Sequence, residues 1–286
     1  MGDGPNPVVQ RRRLRAELRS ARQAAGLTQE SVAEAMDWSP SKIIRIESGS
    51  TGISTNDLKA LLILYNFADA DRTEELVGLA RTARERSWWS DYKDDVSPRF
   101  FQFIEHEAAA SAMRGFQPLI VPGLFQTEEY MRTVIEQFAV TAPPRRVDTL
   151  LKIRMKRQEL LSRPDAPMMH FVLDEAAIRR QVGGKAVMRR QVLHLIEIAE
   201  RQSVTVEVVP FTAGVHPGMQ GPFVILELAE AADDVLFLET ARGDLIFGDD
   251  PDELSAYVEM FEQLRKLSFG PEHSVTYLEA VAAEMA

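Results

Sequence analysis

The sequence contains no cysteine in 286 residues. That absence excludes a disulfide framework, a thiol nucleophile and cysteine-ligated zinc at once, and the expected address is the cytoplasm. No apolar run approaches the roughly 18 residues that span a bilayer. The opening MGDGPNPVVQRRRLR has no apolar stretch behind its charges, so neither a membrane segment nor a signal peptide is expected. Histidine is scarce: His106, His170, His194, His216 and His273 stand alone, none within four residues of another, so no helical histidine pair offers a metal site. No serine lies in a G-x-S-x-G context. Gly183-Gly184 is too short for a phosphate loop and reads as a turn into a helix. Carboxylates are plentiful, but none has a spacing that marks a catalytic pair. Neither enzymatic activity nor a cofactor or metal is expected.

What is present is ordinary in amount and uneven in distribution. Apolar residues make up 45% and charged residues 27%, the composition of a folded globular chain, and the length suggests two domains. The net charge of −10 argues against general affinity for nucleic acid. Residues 1–65 nevertheless hold 9 Lys and Arg against 7 Asp and Glu, so the excess acid lies entirely downstream, at 24 against 36. A slightly basic module on an acidic body is compatible with one DNA-binding end.

Residues 1–10, with two prolines, two glycines and no period, read as a disordered tail. From Arg11, apolar residues at Leu14, Leu18, Ala21 and Ala25 form a helical stripe, and Gly26 suits its C-cap. Thr28 suits the N-cap of a helix over 29–36, and Ser39-Pro40 begins another that stops at Gly49. Two further helices follow, carrying Leu58, Leu61, Leu62 and Tyr65, then Leu76, Leu79, Ala80 and Ala83. Residues 11–85 therefore read as an all-α domain of five short helices, and 86–98 as a linker. Residues 99–286 read as an α+β domain. Helices are predicted at 99–114, 126–139, 144–162, 184–201, 250–267 and 271–285. Strands are predicted at 168–173, 203–209, 222–228 and 235–240, forming a small antiparallel sheet.

The helices over 29–36 and 40–48 are joined by Asp37-Trp38-Ser39, the spacing of a helix-turn-helix whose second helix can enter the major groove. An ordinary helical hairpin has the same spacing. The residues decide: the run GLTQESVAEAMDWSPSKIIRIESG, with its Gly26-Leu27-Thr28-Gln29-Glu30, Val32-Ala33, Ser41-Lys42-Ile43 and Ile46-Glu47-Ser48-Gly49, resembles the phage-repressor-like (XRE-type) helix-turn-helix. Val32, Ala33, Met36, Ile43 and Ile46 face inward. Gln29, opening the first helix of the pair, is assigned to a phosphate. Pro40, Ser41, Ile44 and Arg45 lie on the outward face of the second, with Lys42 at its flank and suited to a phosphate. Family members often read bases there with amide side chains, and Pro40 leaves one such reader missing. Ile44 meets a thymine methyl or, if the helix is slightly rotated, belongs to the core. The resemblance also implies an ion pair between Arg22, four residues before Gly26, and Glu47. Arg11, Arg12 and Arg13 read equally as a basic arm or a solvated helix start.

Downstream, Trp88, Trp89, Phe100, Phe101 and Phe103 exceed what one buried face needs, and serve either domain packing or a partner surface. Leu150, Leu151, Ile153, Met155, Leu160 and Leu161 supply either a dimer helix or core. The phrases RSWWSDYKDD, QPLIVPGLFQTEEYMR, LDEAAIRRQVGG and RQSVTVEVVPFTAGVHPGMQGPFVILEL resemble the actinomycete family of antitoxin-like XRE regulators, whose C-terminal domain has no assigned chemistry. The resemblance implies transcriptional control, in a regulator set linked to development and antibiotic production, with a short companion protein often encoded alongside. The combined expectation is a dimeric, sequence-specific regulator binding a double-stranded DNA operator. Its second domain dimerises and receives a companion protein or a small-molecule effector. The competing reading is an antitoxin-like protein that masks its companion and binds DNA for autoregulation.

Overall fold

The computed structural model describes residues 7–48, 51–83, 87–138, 144–228, 234–239, 245–248 and 251–286. The chain divides into two compact units, Met1–Ser90 and Asp91–Ala286.

The first unit is helical: α1 Pro7–Ala24, α2 Gln29–Ala35, α3 Pro40–Ser48, α4 Thr55–Leu64 and α5 Ala70–Thr82. The first helix begins at Pro7 rather than Arg11, so residues 7–10, read as part of a disordered tail, are helical. A proline costs nothing at a first helical position, where its missing N–H has no acceptor. The remainder of that tail and the glycine expected to end α3 lie outside the described residues. Leu18, Val32, Ile43, Leu58, Leu61 and Leu76 are fully buried together in one core.

Three helices of this unit end in the same way. Gly26, Asp37 and Asn66 have φ of 69°, 54° and 53°. Each donates its N–H to the carbonyl three residues back, and the following N–H reaches five back, as in Leu27 to Arg22 at 3.2 Å, Trp38 to Ala33 at 2.8 Å and Phe67 to Leu62 at 2.9 Å. This Schellman pattern satisfies the last carbonyls and turns the chain sharply. At the turn between α2 and α3 it is Asp37, not glycine, that holds the left-handed conformation, at a steric cost of about 1–2 kcal/mol. Asp37→Gly is therefore expected to raise the urea midpoint by about 1 kcal/mol of stability with an unchanged slope; an unchanged or lowered midpoint would show that the Asp37 side chain offsets its strain.

In the second unit, a 3-10 turn at Trp88–Tyr92 crosses the boundary and α6 follows at Pro98–Ala109. Next come β1 Ala112–Gln117, α7 Glu128–Phe138, α8 Pro144–Gln158, β2 Met168–Asp174, α9 Glu175–Arg179, α10 Lys185–Ala199 and β3 Val204–Val209. The chain ends with β4 Phe223–Glu227, β5 Val235–Glu239, β6 Leu245–Gly248, α11 Pro251–Leu267 and α12 Pro271–Glu284. The sheet has six strands in the order β3-β2-β1-β4-β5-β6. It is mixed, which corrects the expected small antiparallel sheet: β1 pairs with β2 and β2 with β3 in parallel, and only β4, β5 and β6 are antiparallel. The helical segments between β1, β2 and β3 are long enough for the crossovers that parallel pairing demands.

The central strand β1 was not expected, and the predicted helix over 99–114 ends at Ala109. Its sequence, AMRGFQ, carries no β-branched residue, and glycine weakens a strand signal. Gly115 is there because a Cβ would lie 2.6 Å from the Phe171 ring and 3.0 Å from the Phe223 carbonyl oxygen. One sheet face presents Phe116, Val172, Phe223, Ile225 and Leu236 to Phe261 and Leu264 of α11. The other presents Met113, Gly115, Phe171, Val224 and Phe237, which share registers across β1, β2, β4 and β5.

Candidate nucleic-acid interface

The interface is built by α2 and α3. Thr28 caps α2: its hydroxyl accepts from the Ser31 N–H, while Ser31 Oγ accepts from the Thr28 N–H at 3.0 Å. Ser31, rather than the usual glutamate or glutamine, completes this reciprocal box. Val32, Ala33, Ile43 and Ile46 are buried. These contacts fix the roll of α3 and leave Pro40, Ser41, Ile44, Arg45 and Ser48 exposed on one side. Ile44 is 48% exposed, so it faces outward. Arg45 folds back lightly, its Nε donating to the Ser41 carbonyl at 3.2 Å.

A clamp holds the far end of α3. Glu47 is buried, and its carboxylate accepts from Arg22 Nε at 2.6 Å, Arg22 Nη2 at 3.0 Å and Gln29 Nε2 at 2.8 Å. The two-pronged contact holds the guanidinium pKa above its usual value, although burial opposes this. Arg22 also donates to the Leu27 carbonyl at 2.8 Å, tying the glutamate to the α1–α2 turn. The backbone carbonyl of Glu47 accepts from Arg15 Nε at 3.1 Å and Arg19 Nη2 at 3.3 Å. Three arginines on α1 thus meet the carbonyl end of α3, where the helix dipole favours positive charge. Arg15 and Arg19 were missed in the sequence, although their spacing with Arg22 puts all three on one helix face. Beside them the Tyr65 hydroxyl is buried with no hydrogen-bond partner among the described residues, and burial, reinforced by Glu47, pushes it up to about 12.

The residues assigned to phosphates are more occupied than their positions suggested. The Gln29 amide is spent on Glu47. The Lys42 ammonium lies 3.6 Å from the centre of the Trp38 ring and 3.2 Å from Asp57 Oδ2. Arg11 donates to the Ala83 carbonyl at 3.1 Å, and Arg13 pairs with Glu75 at 2.6 Å, so both bind α5 or its C-cap. Only Arg45 puts a cation on the outward face of α3 without a carboxylate partner among the described residues.

The aromatic residues take different places. Trp89 is buried beside Trp88, their rings edge to face at 5.5 Å. In the second unit, Phe103 is buried and Phe100 is half-buried. Both rings stack on the Arg157 guanidinium, at 5.4 Å for Phe100 and 5.1 Å for Phe103. Gly183 and Gly184 have φ of 73° and 88° and lead into α10, a turn into a helix. Among the described residues no group of three metal-binding side chains occurs and no helix is long and apolar enough to cross a membrane.

Two protein families match the chain. A helix-turn-helix domain covers residues 13–76, and a domain of unknown function (DUF5753) covers residues 100–280. No curated protein and no solved structure matches.

Proposed function

We propose, for a chain that belongs to the DUF5753 family and carries a helix-turn-helix domain ahead of it, the work of a sequence-specific transcriptional regulator with no catalytic activity of its own. The observation that carries this reading is the outward face of α3. The Arg15–Arg19–Arg22 clamp fixes its direction, and Ser41, Ile44 and Arg45 stand clear on it. The match supports DNA binding by the first unit. Regulation by an operator, membership of the antitoxin-like actinomycete set and assembly as a homodimer are the finer parts of the proposal.

Arg45 reaches a guanine edge, Ser41 a neighbouring base and Ile44 a thymine methyl. Lys42 and the amino end of α2 lie against the phosphates, and Lys42 exchanges Asp57 for a phosphate oxygen on binding. A single helix-turn-helix contacts too little DNA for tight specific binding, so two copies act on two half-sites. The second unit supplies the dimer contact and receives the signal.

Selection of bound sites from random DNA, followed by footprinting of the full chain, tests this. The expected product is a pseudo-palindrome with half-sites about 34–36 Å apart or a multiple of that, protected by a species that sediments as a dimer. Enrichment of no sequence over random DNA would overturn the reading, and a monomer on a single half-site would overturn the dimer. A competing function is masking of a companion protein, with DNA binding for autoregulation; copurification of a stoichiometric complex from the native cell would favour it.

A further inference from the structure

The second unit contains a cleft of about 460 Å³ on the sheet face opposite α11. This is within the range of small-molecule sites. Its floor is Met113, Phe171, Val224 and Phe237, and α6, α7, α8 and the loop after β1 wall it. The apolar floor suits a hydrophobic group. The charges account for more.

Three arginines and three carboxylates border the cleft: Arg146, Arg154 and Arg157 with Asp95, Glu107 and Glu239. They are not equivalent. Arg157 is consumed by Glu107, which accepts from Nε and Nη2 at 2.6 Å each, both side chains being buried. Arg154, one helical turn earlier on α8, has no carboxylate within 4.0 Å among the described residues. Its one hydrogen bond is a long contact of 3.5 Å to the Gln126 side-chain oxygen. It is surrounded by protein yet open to the water of the cleft. Burial, with the charge of Arg157 beside it, brings its guanidinium down to about 10. Glu239 stands on the same sheet face, near enough to oppose that shift without touching Arg154. Burial pushes its own carboxyl up, while the charges of Arg154 and Arg157 pull it down. The Gln117 amide at the end of β1 borders the same space with no partner among the described residues. A guanidinium kept in an apolar cleft with no carboxylate in contact among the described residues is costly unless something binds to it.

We propose that this cleft binds a small amphipathic carboxylate, its apolar body on Phe171, Val224 and Phe237 and its carboxylate on Arg154, with the amide of Gln117 beside it. The planar fork of the guanidinium suits two parallel hydrogen bonds to such a group. The inference rests on the reading of the second unit as signal-receiving, and names the class of signal.

Titration calorimetry of the full chain with octanoate, octanol and octylamine tests it, since the three probes share a tail and differ in head group. Octanoate is expected to bind about tenfold or more tighter than octanol, the worth of one charge-assisted hydrogen bond, and octylamine weakest. Arg154→Met is expected to erase the preference of acid over alcohol without lowering the melting temperature. Glu239→Gln is expected to preserve or increase octanoate affinity, and it reports even if the arginine variant fails to fold. Equal binding of acid and alcohol by the native chain, a preference for the amine, no binding of any probe, or loss of octanoate binding in Glu239→Gln would each overturn the proposal. Operator affinity measured with and without octanoate separates the two claims. Binding through Arg154 with unchanged operator affinity would leave the site standing and remove its role as a signal receiver.

Discussion

Glu47→Ala is expected to cost the first unit about 3–5 kcal/mol, the usual penalty for removing one partner of a buried ion pair. The unit is small, and domains of this size have only about 5–15 kcal/mol to lose. The glutamate is 2% exposed and receives Arg22, Gln29 and, through its carbonyl, Arg15 and Arg19. Its side chain is the hub through which α1 holds the end of α3. Without it, Arg22 is left partly buried beside an unpartnered Tyr65 hydroxyl. Thermal unfolding of the variant checks the magnitude. The double replacement Arg22→Met with Glu47→Met separates charge from packing, because removing both partners costs less than removing either. A double variant as unstable as the sum of the singles would mean that the pair contributes nothing as a pair. DNA affinity should fall with Glu47→Ala even at temperatures where the unit stays folded, because the end of α3 loses its Arg22 and Gln29 anchors.

Arg157→Met is expected to destabilise the second unit by a comparable 3–5 kcal/mol, whereas Arg154→Met stabilises it or leaves it unchanged. Both are α8 arginines bordering one cleft. Arg157 neutralises Glu107, which is 3% exposed, and also lies over the rings of Phe100 and Phe103. Its loss strands a carboxylate and two cation–π contacts. Arg154 has no carboxylate in contact among the described residues, so its loss gives up only the long Gln126 contact and the distant pull of Glu239. Differential scanning calorimetry of the two variants makes the comparison, and equal destabilisation by both would show that Arg154 is paired as firmly as Arg157.

The first unit was largely legible because its information is local. The N-cap at Thr28, the inward Val32, Ala33, Ile43 and Ile46, and the glycine at position 26 are each readable within one or two helical turns. The placement of Arg22 beside Glu47 came from the family resemblance, whereas Arg15 and Arg19 were visible only as a helical row with no stated target. The Gln29 amide shows the limit of such reading. Its position at the start of α2 suits a phosphate, but a buried carboxylate within reach claims it first.

The second unit was legible in its longer helices and in four strands, and not in the short α9, in β1 and β6, or in its organisation. β1 has little strand propensity of its own; its position between β2 and β4 is set by packing, with Gly115 making room for the Phe171 ring. Once β1 is missed, the β1–β2 parallel pair is invisible, and the parallel pairing of β2 with β3 has to be read from the helical crossover between them. The cleft was beyond the sequence because its residues come from elements more than a hundred positions apart. The excess of aromatics at Phe100, Phe101 and Phe103 signalled something unusual, yet only the fold shows two of them stacked on an arginine. Position alone could not separate Arg154 from Arg157, three residues apart on one helix.

On the function proposed, the outward face of α3 reads bases through Arg45. Selection of bound sites from random DNA by the wild type, Arg45→Ala and Lys42→Ala tests it most directly. Arg45→Ala is expected to lose preference at one position of each half-site, at a cost of about 1–3 kcal/mol there. Lys42→Ala should select the wild-type site with weaker binding and a salt dependence flatter by about 0.9 per monomer. Recovery of the wild-type site, unaltered, by Arg45→Ala would contradict it.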